Sequence, residues 1–137
     1  PTPTSVPAPT PTPTPTPSPA DDFDPPELLS VSVSPTTVEQ GSGSLTVEFV
    51  AQDASGVDYA YIAWTNPAGS PSKMGCSFSH PSNLISGTCT VTEPITSGDS
   101  RWIFSGDYIN PYVRIYDVNN NYEDYAAGFS LPDLTVE

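Results

Sequence analysis

The sequence is poor in the residues on which most catalytic and nucleic-acid-binding sites depend. Only three of its 137 residues are basic, against 16 acidic ones, and the formal net charge is −13. Such a surface repels phosphate backbones, so we expect no nucleic-acid partner. The single histidine, His80, has no G-x-S-x-G nucleophile motif beside it, and zinc sites need more His or Cys than this chain has. We therefore expect that the protein is not an enzyme.

Long apolar runs and helical periodicity are also missing. No apolar run approaches 18 residues, which argues against membrane insertion. No segment of useful length repeats its apolar residues at the helical period of 3.6. The sequence therefore predicts a chain that contains little or no helix.

Cysteine is scarce as well, since Cys76 and Cys89 are the only two. Their spacing excludes a C-x-x-C metal or redox site. Near adjacent predicted strands, they favour one disulfide formed in an oxidising compartment. Two buried free thiols are the alternative.

Proline and threonine dominate the first twenty residues, which contain nine prolines and no charge. Each proline restricts φ and removes a backbone donor, so the tract is expected to be polyproline II, rising about 3.1 Å per residue. Pro-rich segments with Ser and Thr are typical of O-glycosylated stalks. We predict a linker or stalk over 1–20 and a single domain over 21–137. The expected glycosylation sites are Thr2, Thr4, Thr10, Thr12, Thr14 and Thr16.

The remainder of the chain alternates apolar and polar residues between short turns, which is typical of half-buried strands. Seven or eight such strands predict an all-β, immunoglobulin-like antiparallel sandwich. Trp64 and Trp102 are expected in its core. The predicted strands cover 29–34, 45–52, 59–64, 73–79, 87–93, 101–104, 112–117 and 124–131.

Five short motifs resemble those of bacterial Ig-like modules, in the same order. They are Asp24-Pro25-Pro26-Glu27-Leu28, Ser34-Pro35-Thr36-Thr37-Val38, Asp53-Ala54-Ser55-Gly56-Val57, Arg101-Trp102 and Asp117-Val118-Asn119-Asn120-Asn121. The family's usual Asp-x-x-Gly-Asn turn appears here without its glycine. The resemblance implies an Ig-like fold in a large secreted enzyme or surface protein, where such modules serve as spacers, adhesins or accessory domains.

Acidic and amide side chains are concentrated in three segments that an Ig-like topology brings to one pole. These segments contain a candidate metal-binding set: Asp24, Asp53, Asp117, Asn119 and Asn121. Calcium takes six to eight oxygen ligands, several of them charged, so the set indicates a calcium site. The alternative is that Asp53 and Asp117 are turn residues that hydrogen-bond their own backbone.

Tyrosines form a second candidate site. Tyr59 and Tyr61 lie on the opposite strand face from the inward residues, and Tyr112 and Tyr116 take the outward phase of a later strand. Exposed aromatics on a sheet stack on sugars or become buried against another subunit. Tyrosine is also common on half-buried sheets without any ligand.

Taken together, these features favour a non-catalytic module at the cell surface or in the extracellular space. It would serve in surface display, as a spacer, or as the repeating subunit of a fibre. A carbohydrate-binding or adhesion module of a secreted modular enzyme is the alternative, and an accessory domain is a third possibility. The expected partners are glycans, attached or bound, and neighbouring modules or identical subunits.

Overall fold

The computed structural model describes residues 2–12, 22–78, 86–126 and 129–137, and this part of the chain is all-β. Residues 2–12 are exposed and form neither helix nor strand. His80, Thr14 and Thr16 lie outside the described residues. Within those residues, no helix is long and apolar enough to span a membrane. The strands are β1 (Glu27–Ser34), β2 (Thr37–Val38), β3 (Ser44–Gln52), β4 (Val57–Thr65), β5 (Pro71–Ser77), β6 (Ser86–Pro94), β7 (Gly106–Asp117), β8 (Tyr122–Tyr125) and β9 (Leu134–Val136).

The strands form two sheets that share one hydrophobic core. The first sheet has the order β1-β3-β6, and the second has the order β2-β9-β7-β4-β5, with β8 also paired to β7. All pairs are antiparallel except β2 and β9, which are parallel. Side chains from both sheets join a single buried cluster. The expected all-β class is therefore confirmed, with mixed rather than purely antiparallel pairing.

Strand β3 follows its sequence pattern closely. Leu45, Val47, Phe49 and Ala51 are fully buried, while the intervening residues are partly or largely exposed. Alternate side chains of a strand point to opposite faces, so this pattern places one face in the core. Trp64 and Trp102 are also buried, as predicted.

Strand β1 departs from the predicted alternation at its start. The pairing of β1 with β3 shifts register between Leu28 and Ser30, so Leu28 is buried and Leu29 is 44% exposed. An extra residue in one strand reverses the facing of its neighbours. Val31 and Val33 still pack against the core.

The strand predicted over 101–104 is wrong, because this segment forms a turn. The Asp99 carboxylate accepts a hydrogen bond from the Arg101 backbone N–H at 2.9 Å, and the Trp102 N–H donates to the Asp99 carbonyl at 2.9 Å. A side chain that satisfies nearby backbone donors competes with strand pairing. Trp102 thus enters the core from a loop and packs against Trp64 with ring centroids 6.2 Å apart.

The last predicted strand, 124–131, is also wrong in its bounds. Two short strands, β8 and β9, pair instead with different parts of the long strand β7. Pro132 interrupts the chain between them and cannot donate a hydrogen bond to a sheet. Its carbonyl accepts a hydrogen bond from the Trp64 indole N–H at 3.0 Å.

The predicted disulfide is present between Cys76 of β5 and Cys89 of β6, with Cα atoms 6.3 Å apart. Each strand is the last in its sheet order. The disulfide therefore ties the two sheets together at one edge, where β5 and β6 are not paired with each other among the described residues.

Candidate functional site

Asp53 begins the connection between β3 and β4, and its carboxylate organises that turn. Its Oδ1 accepts hydrogen bonds from the backbone N–H groups of Ser55 at 2.8 Å and Gly56 at 3.1 Å, and from the Ser55 hydroxyl. Gly56 has a φ of 108°, which a residue with a Cβ rarely adopts. The Asp53 side chain is buried at the end of the sheet.

Asp117 ends β7 and organises a second turn in the same way. Its Oδ1 accepts the backbone N–H groups of Asn119 at 2.9 Å and Asn121 at 2.7 Å, and its Oδ2 accepts the Asn121 amide at 2.6 Å. Asn120 has a φ of 68° and stands where the resembled motif has its glycine. Asparagine tolerates the left-handed region better than most residues, so the turn closes without glycine.

Asp22 brings the third carboxylate from the segment that precedes β1. The side-chain amides of Asn119 and Asn121 donate to the Asp22 carbonyl at 3.2 and 3.3 Å, which ties this segment to the turn after β7. Asp22 Oδ1 accepts the Asp24 N–H at 3.0 Å. Asp22 Oδ2 is buried and has no hydrogen-bond partner within the described part of the chain.

These three carboxylates form what we call the acidic cluster: Asp22, Asp53 and Asp117. One oxygen of each lies within 4.8 Å of the others. Burial raises the pKa of Asp53, and the negative charges of Asp22 and Asp117 raise it further, against the lowering effect of the Ser55 hydrogen bonds. No basic side chain of the described residues forms an ion pair with the cluster.

The donor set of the acidic cluster fits a hard cation. Calcium prefers carboxylate and carbonyl oxygens, with water completing six to eight ligands. The side-chain amide nitrogens of Asn119 and Asn121 donate to the Asp22 carbonyl and hold this segment in place, and their role as ligands stays a prediction. Asp24, expected as a ligand, is exposed and lies outside the three-carboxylate group.

A second feature is the tyrosine face, on the side of the β5-β4-β7-β8 sheet opposite the core. In the strand register, Tyr59 lies opposite Tyr116 and Tyr116 lies opposite Tyr122. Two cations lie over its rings, one of them the ammonium group of Lys73 at 4.7 Å from the Tyr61 ring centroid. The face comprises Tyr59, Tyr61, Tyr112, Tyr116, Tyr122, Lys73 and Arg114.

The rings of the tyrosine face are tilted against one another. The Tyr61 ring is tilted 51° from Tyr59 and 72° from Tyr112, with centroids 6.2 and 6.1 Å apart. Tyr61 is itself buried, and burial together with its hydrogen bond to Tyr112 raises its pKa well above the usual range. The solvent-exposed part of the face therefore belongs mainly to the other tyrosines, Tyr59, Tyr112, Tyr116 and Tyr122.

Sequence reasoning missed Asp22 as a cluster member, and Tyr122, Lys73 and Arg114 as parts of the tyrosine face. Arg114 lies 4.4 Å from the Tyr122 ring centroid and is ion-paired with Asp124 at 2.6 Å. The alternation of β7 places Arg114 on the same strand face as Tyr112 and Tyr116, so its place on the tyrosine face could have been predicted from the sequence. Nothing local distinguishes Asp22 from Asp24.

Comparisons with known proteins show a shared fold and no family. Neither the protein-family models nor the curated proteins contain a match to this chain. One similar solved structure is the Pseudomonas fluorescens alkylpurine DNA glycosylase AlkC bound to DNA containing an abasic site analog. The match has a TM-score of 0.52 and 10% sequence identity, and it covers 86% of this chain and 32% of that chain. This chain therefore spans about a third of the AlkC chain, and at this identity the likeness concerns the fold alone.

Proposed function

We propose that this protein is a non-catalytic extracellular structural module, an Ig-like β-sandwich carried on an O-glycosylated Pro-Thr stalk. The strand order supports the Ig-like assignment. Strands β1, β3 and β6 correspond to A, B and E of that fold, and β5, β4, β7 and β9 correspond to C′, C, F and G. The disulfide is compatible with an oxidising extracellular location.

The observation that carries the proposal is the acidic cluster at the joint between the stalk side and the domain. Asp22 lies on the stalk side of β1, whereas Asp53 and Asp117 belong to two turns of the domain. A divalent cation among them would neutralise three adjacent carboxylates and connect the three segments. Calcium would thereby stiffen the joint, which suits a spacer, a display unit or a fibre subunit.

Two other readings receive less support. DNA binding, a property of the AlkC complex, is opposed here by the formal charge of −13. Sugar stacking on the tyrosine face needs open and roughly parallel rings, whereas Lys73 and Arg114 lie over the Tyr61 and Tyr122 rings. The alternative of a carbohydrate-binding module stays a prediction.

Thermal unfolding of the full chain in calcium and in chelator tests the proposed joint. A cation that binds the folded state stabilises it by about 2.7 kcal/mol at one hundred times its Kd. We expect the calcium-dependent rise in Tm to be lost in Asp22→Asn. The matched control, Asp24→Asn, removes an equal charge two residues away and should keep the rise.

Two outcomes would count against the calcium joint. One is an unchanged Tm of the original chain in calcium and chelator. The other is an equal loss of the calcium effect in Asp22→Asn and Asp24→Asn, which would indicate general charge screening. Intact mass of native material tests the stalk separately, since glycosylation of the stalk threonines predicts added mass in hexose increments.

A further inference from the structure

The chain enters and leaves the domain at opposite poles of the sandwich. Asp22 lies in the acidic cluster beside Asp117, the last residue of β7. At the other end of β7, Gly106 pairs with Val136, the last residue of β9. Tension applied at Asp22 and at Glu137 therefore acts along the length of β7, in the direction of the strands.

Strands β2 and β9 meet near the pole where the chain leaves. They run parallel, with Val38 opposite Val136, and both valines are buried. The Thr135 N–H donates to the Thr36 carbonyl at 2.8 Å, and the Glu137 N–H donates to the Val38 carbonyl at 2.9 Å. Sliding β2 past β9 would break these hydrogen bonds and expose apolar surface to water. We call this set of interactions the β2–β9 contact.

Tension along the domain loads the β2–β9 contact in shear. The chain passes from Asp22 through β1 to β2, so tension draws β2 towards the acidic cluster. Glu137 directly follows β9, so the same tension draws β9 the opposite way. Hydrogen bonds of a sheet run between strands and not along them. Sliding one strand along another therefore strains all of these bonds together, whereas peeling a strand from one end breaks them one after another.

Strand β1 is loaded in the same manner. It pairs with β3 from Glu27 to Ser34, and Glu27 lies at the end nearer the acidic cluster, opposite Gln52. Tension from the stalk side therefore pulls β1 along its own axis past β3. The segment that joins the stalk to the core is thus held by two strand pairings, and tension shears both of them.

We propose that the β2–β9 contact is a mechanical clamp, which keeps the domain folded while tension acts between the stalk and the end of β9. Under shear, its hydrogen bonds and the burial of Val38 and Val136 are lost in one step, and that step sets the rate of forced unfolding. The inference rests on the proposed function, since a spacer, a display unit or a fibre subunit transmits tension along its length.

Single-molecule force spectroscopy in chelator tests the clamp by changing the direction of pulling. In one arrangement, the handles are attached at the two ends of the full chain. In the other, they are attached at Glu137 and at Gly98→Cys, an exposed position with open space for a side chain. Gly98 lies between the end of β6 and the start of β7, at the same pole as Glu137, so this arrangement peels β9 from its end. The unfolding force should fall at least about twofold.

Two valine variants locate the resistance within the domain. Val136→Ala shortens a buried side chain of the clamp, and Val113→Ala does the same in the middle of β7, which stays paired with β4 while β2 slides. Weakening an interaction accelerates unfolding only if the transition state has already lost it. Under tension between the chain ends, Val136→Ala should unfold about fivefold faster than the original chain, and Val113→Ala at about the original rate. Urea denaturation measures the equilibrium loss in each variant.

Two results would overturn the clamp. One is an equal unfolding force in the two pulling directions, and the other is an equal acceleration of forced unfolding by the two valine variants. If Val136→Ala fails to fold, the two pulling directions of the original chain decide the question. All of these measurements are made in chelator, so a Tm that does not respond to calcium would contradict the calcium joint and leave the clamp standing.

Discussion

Acidic side chains near the two ends of strand β4 differ in whether a basic side chain pairs with them. Near Val57, the acidic cluster holds three carboxylates without a basic partner among the described residues. Beyond Thr65, Arg101 pairs with Asp99 at 2.6 Å and with Glu93 at 2.7 Å, and it donates to the Lys73 carbonyl at 2.9 Å. The Arg101 end thus has its own basic partner, whereas the acidic cluster has none among the described residues.

This difference shows in the pKa values. Hydrogen bonds from Arg101 lower the pKa of Asp99, while burial and neighbouring negative charges raise the pKa of Asp53. A lowered carboxyl pKa means that the charged form is stabilised by folding, and a raised one means the reverse. The charge of Asp99 therefore supports the fold, and the charge of Asp53 opposes it.

The largest predicted effect is on stability, and it comes from removing the basic side chain that pairs with Asp99 and Glu93. Arg101→Met removes one cation and leaves Asp99 and Glu93 facing each other, so we expect a loss of about 2 kcal/mol in the free energy of unfolding. Urea denaturation in chelator measures it. Arg114→Met is the control, and it should cost less than about 1 kcal/mol because Arg114 pairs with a single carboxylate, Asp124, which is more exposed than Asp99 or Glu93. Equal losses in the two variants would contradict the comparison.

A smaller effect of opposite sign is expected at the acidic cluster. Asp53→Asn retains an oxygen for the Ser55 and Gly56 N–H groups and removes one of three adjacent charges. In chelator, the variant should therefore be more stable than the original chain by about 1 kcal/mol. In calcium, the order should reverse as the ligand is lost. Destabilisation of the variant in chelator would show that the Asp53 charge supports the fold.

The smallest effects are in the pH dependence, measured by urea denaturation in chelator between pH 3 and 7. Asp99 has a lowered pKa, so its contribution is full above its ordinary value near 3.8 and is lost as the pH falls through the folded value. Asp53 has a raised pKa, so its penalty grows as the pH rises from 3.8 through the folded value.

Single variants separate these two contributions. Asp99→Asn should flatten the loss of stability at acidic pH, and Asp53→Asn should remove the decline that accompanies rising pH. A common pH slope in the original chain and both variants would contradict the assigned shifts.

Much of the sheet structure was predictable because local chemistry and tertiary structure agree there. Strand β3 alternates cleanly, and the turns at Asp53 and Asp117 are stabilised by their own side chains. Prediction failed over 101–104, where apolar residues suggested a strand but Asp99 binds the backbone of a turn. It also failed at Leu29, because a register shift between partner strands leaves no local mark.

Part of the candidate site was predictable for the same reason. Asp53 and Asp117 stand at turns that the sequence marks clearly. The choice of Asp22 over Asp24 depends on Asn119 and Asn121, which hold the Asp22 carbonyl from a distant turn.

The sequence by itself determined the scarcity of basic residues, the alternation of the strands and the composition of the stalk, because these are properties of residues and their near neighbours. Only the tertiary structure decided which three carboxylates meet and which tyrosines share a face. Those contacts join segments far apart in the chain, and their geometry follows from sheet register and from turns that bring separate strands to the same end.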